Sequence, residues 1–166
     1  MDEADVRQKA RAFVAKVDVS NIRDDLSPYV TAANAKVKKD ELGEGESGYT
    51  VTKPNGKHII TVNSLETDER QRFTVCHEIA HIVLGLESSH EEVPSWSYAK
   101  RHPNEIACDT FAAELLMPYQ QWLSAAPKEE PSLELIQHMA DLFGTSFPAA
   151  ASRFASLSDM PCAFVT

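Results

Sequence analysis

The sequence predicts an α+β domain: a small β-sheet bracketed by helices. Three observations predict it. Residues 2–16 carry apolar side chains at helical spacing, two β-rich runs flank Asn55-Gly56, and helical periodicity returns from Thr67.

In order along the chain, Val6, Ala10, Phe13 and Val14 alternate with charges and predict an amphipathic first helix. Residues 20–33 read as a second helical region, interrupted by Pro28 or restarted there with Ser27 as its cap. A short strand is expected around Val37, within residues 35–42, followed by a Gly- and Glu-rich loop over 43–48. Tyr49-Thr50-Val51-Thr52 and His58-Ile59-Ile60-Thr61-Val62 then read as a hairpin. Thr67 can cap the next helix, with Asp68 and Glu69 suited to its positive end and Gly85 ending it. Residues 86–103 form a polar connection with two prolines. Another helix is expected from Asn104 to Met117, because Pro118 cannot continue it. Two or three shorter helices fill 118–157, and residues 160–165 read as a strand. The expected division is a main domain over 1–127 and a helical lobe over 128–166. That lobe is helix-turn-helix-like and able to pack as one unit with the first.

The chain has 166 residues, 43% of them hydrophobic, and a formal charge of −9. That is enough chain to bury a core. Nowhere does it approach the roughly 18 uninterrupted apolar residues of a membrane span. It opens on acids without an apolar signal region, so a cytoplasmic setting is expected. Cys76, Cys108 and Cys162 are odd in number and widely spaced, which argues for reduced thiols. Net negative charge opposes phosphate binding, so direct contact with nucleic acid is disfavoured.

Chemistry concentrates in His77-Glu78-Ile79-Ala80-His81, an HExxH sequence inside a strongly helical segment. Positions i and i+4 share a helix face, so both imidazoles can reach one metal ion. Glu78 lies where a carboxylate can take a proton from water that zinc has acidified to a pKa of about 7. The alternative is a helix with two surface histidines. Phe73, Val75, Ile79, Ile82 and Val83 argue against it, because a largely buried helix needs partners for its imidazoles.

A catalytic zinc needs a third protein ligand. Leu84 and Glu87 stand where the metzincin extension has glycine and histidine, so that class is excluded. Glu105-Ile106-Ala107-Cys108-Asp109 offers the alternatives. Glu105 and Asp109 are i and i+4 on the next helix; one can bind metal while the other holds a ligand histidine. A Cys108 thiolate carries the same charge as a carboxylate, so charge does not separate it from Glu105. Cys76 and Cys162 read as packing.

Together with Arg70-Gln71-Arg72-Phe73-Thr74 before it, the HExxH segment resembles the ImmA/IrrE family of metallo-endopeptidases. So do the run from Glu105 to Pro118, ending Phe111-Ala112-Ala113-Glu114-Leu115-Leu116-Met117-Pro118, and the strand Ile60-Thr61-Val62-Asn63. The resemblance covers about residues 47–157. It implies a zincin-like fold with the sheet packed on the HExxH helix, a second ligand helix beside it and C-terminal helices. It further implies a gluzincin-like site: His77, His81 and Glu105 as ligands of one Zn²⁺ (Mn²⁺ or another divalent ion being an alternative), and Glu78 as general base. Asp109 falls where the family has Asn or Asp, which implies a supporting role. Cys108 falls at a small-residue position, which implies packing. The implied substrate is a helix-turn-helix repressor of mobile elements or stress genes.

Two other readings compete. One is a DNA-binding regulator using the C-terminal helices, where Ala140 and Gly144 have helix-turn-helix spacing. Residues 129–166, however, hold five acids (Glu129, Glu130, Glu134, Asp141, Asp159) against one base, Arg153. The other is a metal-binding sensor without proteolysis. Of the remaining polar residues, His90, Tyr98, Arg101 and His102 lie in the connection between the ligand helices. Tyr98 and His102 are the candidates there for stabilising an oxyanion, against the plain alternative of a solvated loop. His58 and His138 read as surface or satisfied residues, and Arg70 and Arg72 as braces of the helix start.

Overall fold

A computed structural model describes residues 1–88 and 101–158 of the chain. The expected strand at 160–165, together with His90, Tyr98 and Cys162, lies outside the described residues.

The first helix, α1 (Glu3–Val14), starts where the Asp2 side chain accepts a hydrogen bond from Asp5 N at 2.8 Å. Its buried stripe is Val6, Ala10 and Phe13. A short α2 (Ser27–Ala32) follows, and here the expected cap is corrected. Leu26 occupies the cap position without a side-chain bond, and Ser27 lies inside the first turn with its hydroxyl on Asp25. Tyr29 of α2 is fully buried and donates to Leu115 O at 2.8 Å, which satisfies its hydroxyl in the core.

Among the described residues three strands form one sheet: β1 (Ala35–Asp40), β2 (Gly48–Thr52) and β3 (His58–Asn63), in the order β1-β3-β2. β3 pairs parallel with β1 and antiparallel with β2, Thr50 lying opposite Ile60. The expected hairpin is present, its turn closed by Lys53 N on Lys57 O and by Gly56 at φ +79°. β3, the central strand, is the most buried, with Ile60 and Val62 wholly enclosed. One tight approach sets the sheet's position. A Cβ on Gly48 would lie 2.6 Å from both Thr61 O and Thr74 Cγ2, so only glycine lets β2 come this close to the next helix.

That helix, α3 (Asp68–Leu84), begins and ends as the sequence predicts. Thr67 Oγ1 accepts from Arg70 N at 3.3 Å, and Gly85 closes it at φ +65°. Cys76, Ile79 and Ala80 are wholly buried. Against α3 packs α4 (Pro103–Leu116), whose Cys108 and Ala112 are likewise fully enclosed and small enough for close approach.

The chain continues through α5 (Tyr119–Ala125), α6 (Leu133–Phe143) and α7 (Phe147–Leu157). Trp122 of α5 stacks near Phe143 and Phe154, with ring centroids at 5.4 and 5.1 Å. Gly144 ends α6 at φ +63°, as the spacing of Ala140 and Gly144 suggests. Arg72 does not brace the start of α3. Its guanidinium donates to Gly144 O, Ile22 O and Phe143 O, which ties the end of α6 to the helix that carries the site. Glu114 of α4 is 1% exposed, and its carboxylate is gripped by Arg153 of α7 at 2.8 and 3.0 Å and by Arg11 of α1 at 3.2 Å.

Candidate metal centre

His77 and His81 stand one turn apart on α3 with their Nε2 atoms 3.1 Å from each other. Glu105, in the first turn of α4, reaches both rings: Oε2 lies 3.1 Å from His77 Nε2, and Oε1 lies 3.6 Å from His81 Nε2. One ligand-type atom from each of the three residues fits within 4.8 Å of the others.

The outward ring nitrogens decide what the inward ones carry. His81 Nδ1 lies 3.0 Å from Leu86 O, a carbonyl that can only accept, so the ring proton belongs on Nδ1. His77 Nδ1 lies 2.9 Å from Asp109 Oδ1, again an acceptor. With both rings neutral, the Nε2 atoms then present lone pairs toward each other and toward a carboxylate. Such a cluster is repulsive by itself and attractive to a cation. Ligand atoms on a tetrahedral zinc with bonds of about 2.0–2.1 Å sit about 3.3 Å apart, close to the separations found here. The donor set fits a divalent ion.

Surrounding charge points the same way. Burial disfavours the cationic form of His77, yet the Asp109 hydrogen bond and the charges of Asp109, Glu78 and Glu105 raise its pKa above the usual range. Negative surroundings that attract a proton also attract a metal. Burial likewise opposes ionisation of Asp109, but His77 and Arg101 on either side hold its carboxyl below the ordinary value. Arg101 pairs with the second oxygen of Asp109, so this carboxylate bridges a site histidine and a cation.

Glu78 is 6% exposed and faces β2, where Thr50 Oγ1 donates to its Oε2 at 2.6 Å. Two concavities of about 970 and about 490 Å³ meet here, sharing Tyr49, Thr50, Glu78 and Ser88. The larger runs toward Arg70, Phe73 and Glu105, and the smaller toward His58, His81 and Leu86.

The structure therefore brings His77, His81, Glu105, Asp109 and Glu78 together. It does not bring in His102, whose Nδ1 accepts from Asn104 N at 3.2 Å as the cap of α4 and which lines neither concavity. Tyr98 lies outside the described residues. Cys108 is absent from the converging atoms, and burial raises its thiol to about 12, as it does that of Cys76. Sequence reasoning missed Thr50, the carbonyl of Leu86 and the pairing of Arg101 with Asp109. Only strand alternation, which puts Gly48, Thr50 and Thr52 on one face of β2, carried a signal for the first.

A segment of 66 residues is 41% identical to the radiation response metalloprotease IrrE of Deinococcus deserti, covering 37% of this chain and 23% of that protein. The match thus spans under a quarter of that relative. Residues 31–155, from the end of α2 to α7, match the Peptidase_M78 model, the IrrE N-terminal-like domain. That stretch contains the whole sheet, His77 and His81 of α3, and Glu105 and Asp109 of α4, and the chain belongs to the IrrE N-terminal-like domain family.

Proposed function

We propose that the chain is a zinc-dependent endopeptidase that cuts a protein substrate, a helix-turn-helix repressor, in a bacterial or phage cytoplasm. The observation that carries this reading is the convergence of His77 Nε2, His81 Nε2 and the Glu105 carboxylate beside the buried Glu78. His77, His81 and Glu105 would hold the ion, with Mn²⁺ an alternative for the same donors. Such an ion supplies Lewis acidity toward water and the peptide carbonyl.

The chain's own residues do the rest. Glu78 takes the proton of the attacking water and passes it to the departing amide nitrogen. Asp109 and Leu86 O keep the histidine protons on Nδ1, so that both Nε2 atoms stay available. β2 is an edge strand of the described sheet and lies along both concavities, so an extended substrate can pair with its outer side.

Among the described residues, no helix is long and apolar enough to cross a membrane. Binding of DNA by the C-terminal helices gains no support. Their one base, Arg153, is 4% exposed and committed to Glu114, which leaves the acids in possession of that surface. The test is to incubate the zinc-loaded protein with the repressor encoded beside it and read the products by mass spectrometry. A single new pair of termini is expected. An intact repressor under all metal loadings would refute the substrate, and retained cleavage after chelation would refute the mechanism.

A further inference from the structure

We propose that Thr50 is a positioning residue for Glu78, fixing one carboxylate oxygen so that the other faces the junction of the two concavities. This rests on reading Glu78 as the base.

The inference starts from what a buried carboxylate requires. Glu78 is 6% exposed, and a carboxylate taken so far from water needs donors. Among the described residues it has no ion pair, and its one hydrogen bond comes from Thr50. At 2.6 Å that bond has the length of a charge-assisted O–H···O⁻ contact. An ionised carboxylate can only accept, so the threonine donates its single proton to Oε2. Oε1 takes no hydrogen bond among the described residues and is left for water in the cleft that Glu78 lines.

Thr50 is held firmly enough to act this way. It lies mid-strand, paired with Ile60 of the buried β3, and its branched side chain has few rotamers. The contact is also one of a matched pair. Gly48 meets Thr74, and Thr50 meets Glu78. Two residues of strand span about 6.7 Å and four of helix about 6 Å, so β2 and α3 stay in step over both contacts. Gly48 brings the strand near enough, and Thr50 uses that approach to set the carboxylate.

The test uses the full chain loaded with zinc and a mixed-sequence peptide pool, from which one cleaved peptide is taken for kinetics. Thr50→Val should lower kcat about tenfold or more, with KM within about twofold and zinc content unchanged. Thr50→Ser, which keeps the hydroxyl, should recover most of kcat. In a Glu78→Gln background Thr50→Val should change nothing further. Thr50 has no such role if the Val variant keeps the parental kcat, if Ser is as slow as Val, or if Val acts through lost zinc. Failure of the underlying reading looks different. Either the parent cuts neither the pool nor the repressor, or Glu78→Gln cuts as fast as the parent, and each of these overturns the base itself and Thr50's part with it.

Discussion

Asp109 Oδ1 sits 2.9 Å from His77 Nδ1, while its other oxygen holds Arg101. The carboxylate thus restrains the rotation of an imidazole whose Nε2 faces Glu105 and, with the ring neutral, favours the proton on Nδ1. Removing such a partner typically weakens metal binding 10- to 100-fold. Asp109→Ala should therefore lose zinc affinity by about that factor, read by competition with a chromophoric chelator. An unchanged affinity would mean that the bond orients nothing.

Glu114 and Arg153 make a second carboxylate–guanidinium pair, 1% and 4% exposed, that joins α4 to α7. Deleting one partner strands the other charge in the interior, at a cost of about 3–5 kcal/mol. Glu114→Gln should lose about that much in urea unfolding, whereas replacing both residues with apolar ones should cost less. The effect has a pH signature. Burial pushes the Glu114 pKa up, but Arg153 and Arg11 outweigh it and hold it below the usual 4.5. A depressed native pKa contributes stability above the unfolded value and loses it as pH falls through the native one. Stability should thus decline on acidification below about pH 4.5, and less steeply in Glu114→Gln. Equal slopes would remove Glu114 from the acid response.

Gly48→Ala probes the approach of β2 to α3. Its new Cβ would meet Thr61 O and Thr74 Cγ2 at 2.6 Å, and one of these neighbours is backbone that cannot swing away. Overpacking of this kind costs about 1–3 kcal/mol. Thermal melts should show that loss, and activity should fall with it because Thr50 is pushed from Glu78. A variant as stable and active as the parent would contradict the tight fit.

Much of this was legible in the sequence because its signals are local. The cap Thr67, the stop Gly85, the HExxH spacing and Pro118 each act within a turn, and α3 and α4 run where these residues put them. What was not legible depends on elements far apart in the chain. Thr50 and Glu78 are neighbours only because β2 pairs with β3 and Gly48 admits α3. Arg72 reads as a helix-start residue until α6 arrives to offer its terminal carbonyls. Ser27 reads as one possible cap because Pro28 fits either of the first two helical positions, and the cap one residue earlier, at Leu26, satisfies the same rule. Among Glu105, Asp109 and Cys108, spacing alone left the third ligand open. In the structure Glu105 faces both rings, Asp109 reaches the back of one, and Cys108 is turned into the core, which supports Glu105 as the proposed third ligand.

The central claim is that His77, His81 and Glu105 hold a metal while Glu78 moves the proton. It is tested most directly by measuring zinc per chain and cleavage together in four variants. Glu78→Gln should keep about one zinc per chain and lose cleavage by at least about a hundredfold. His77→Ala and Glu105→Ala should lose the metal, and Cys108→Ala should retain it. Full cleavage by Glu78→Gln, or zinc lost from Cys108→Ala but kept by Glu105→Ala, would contradict the account.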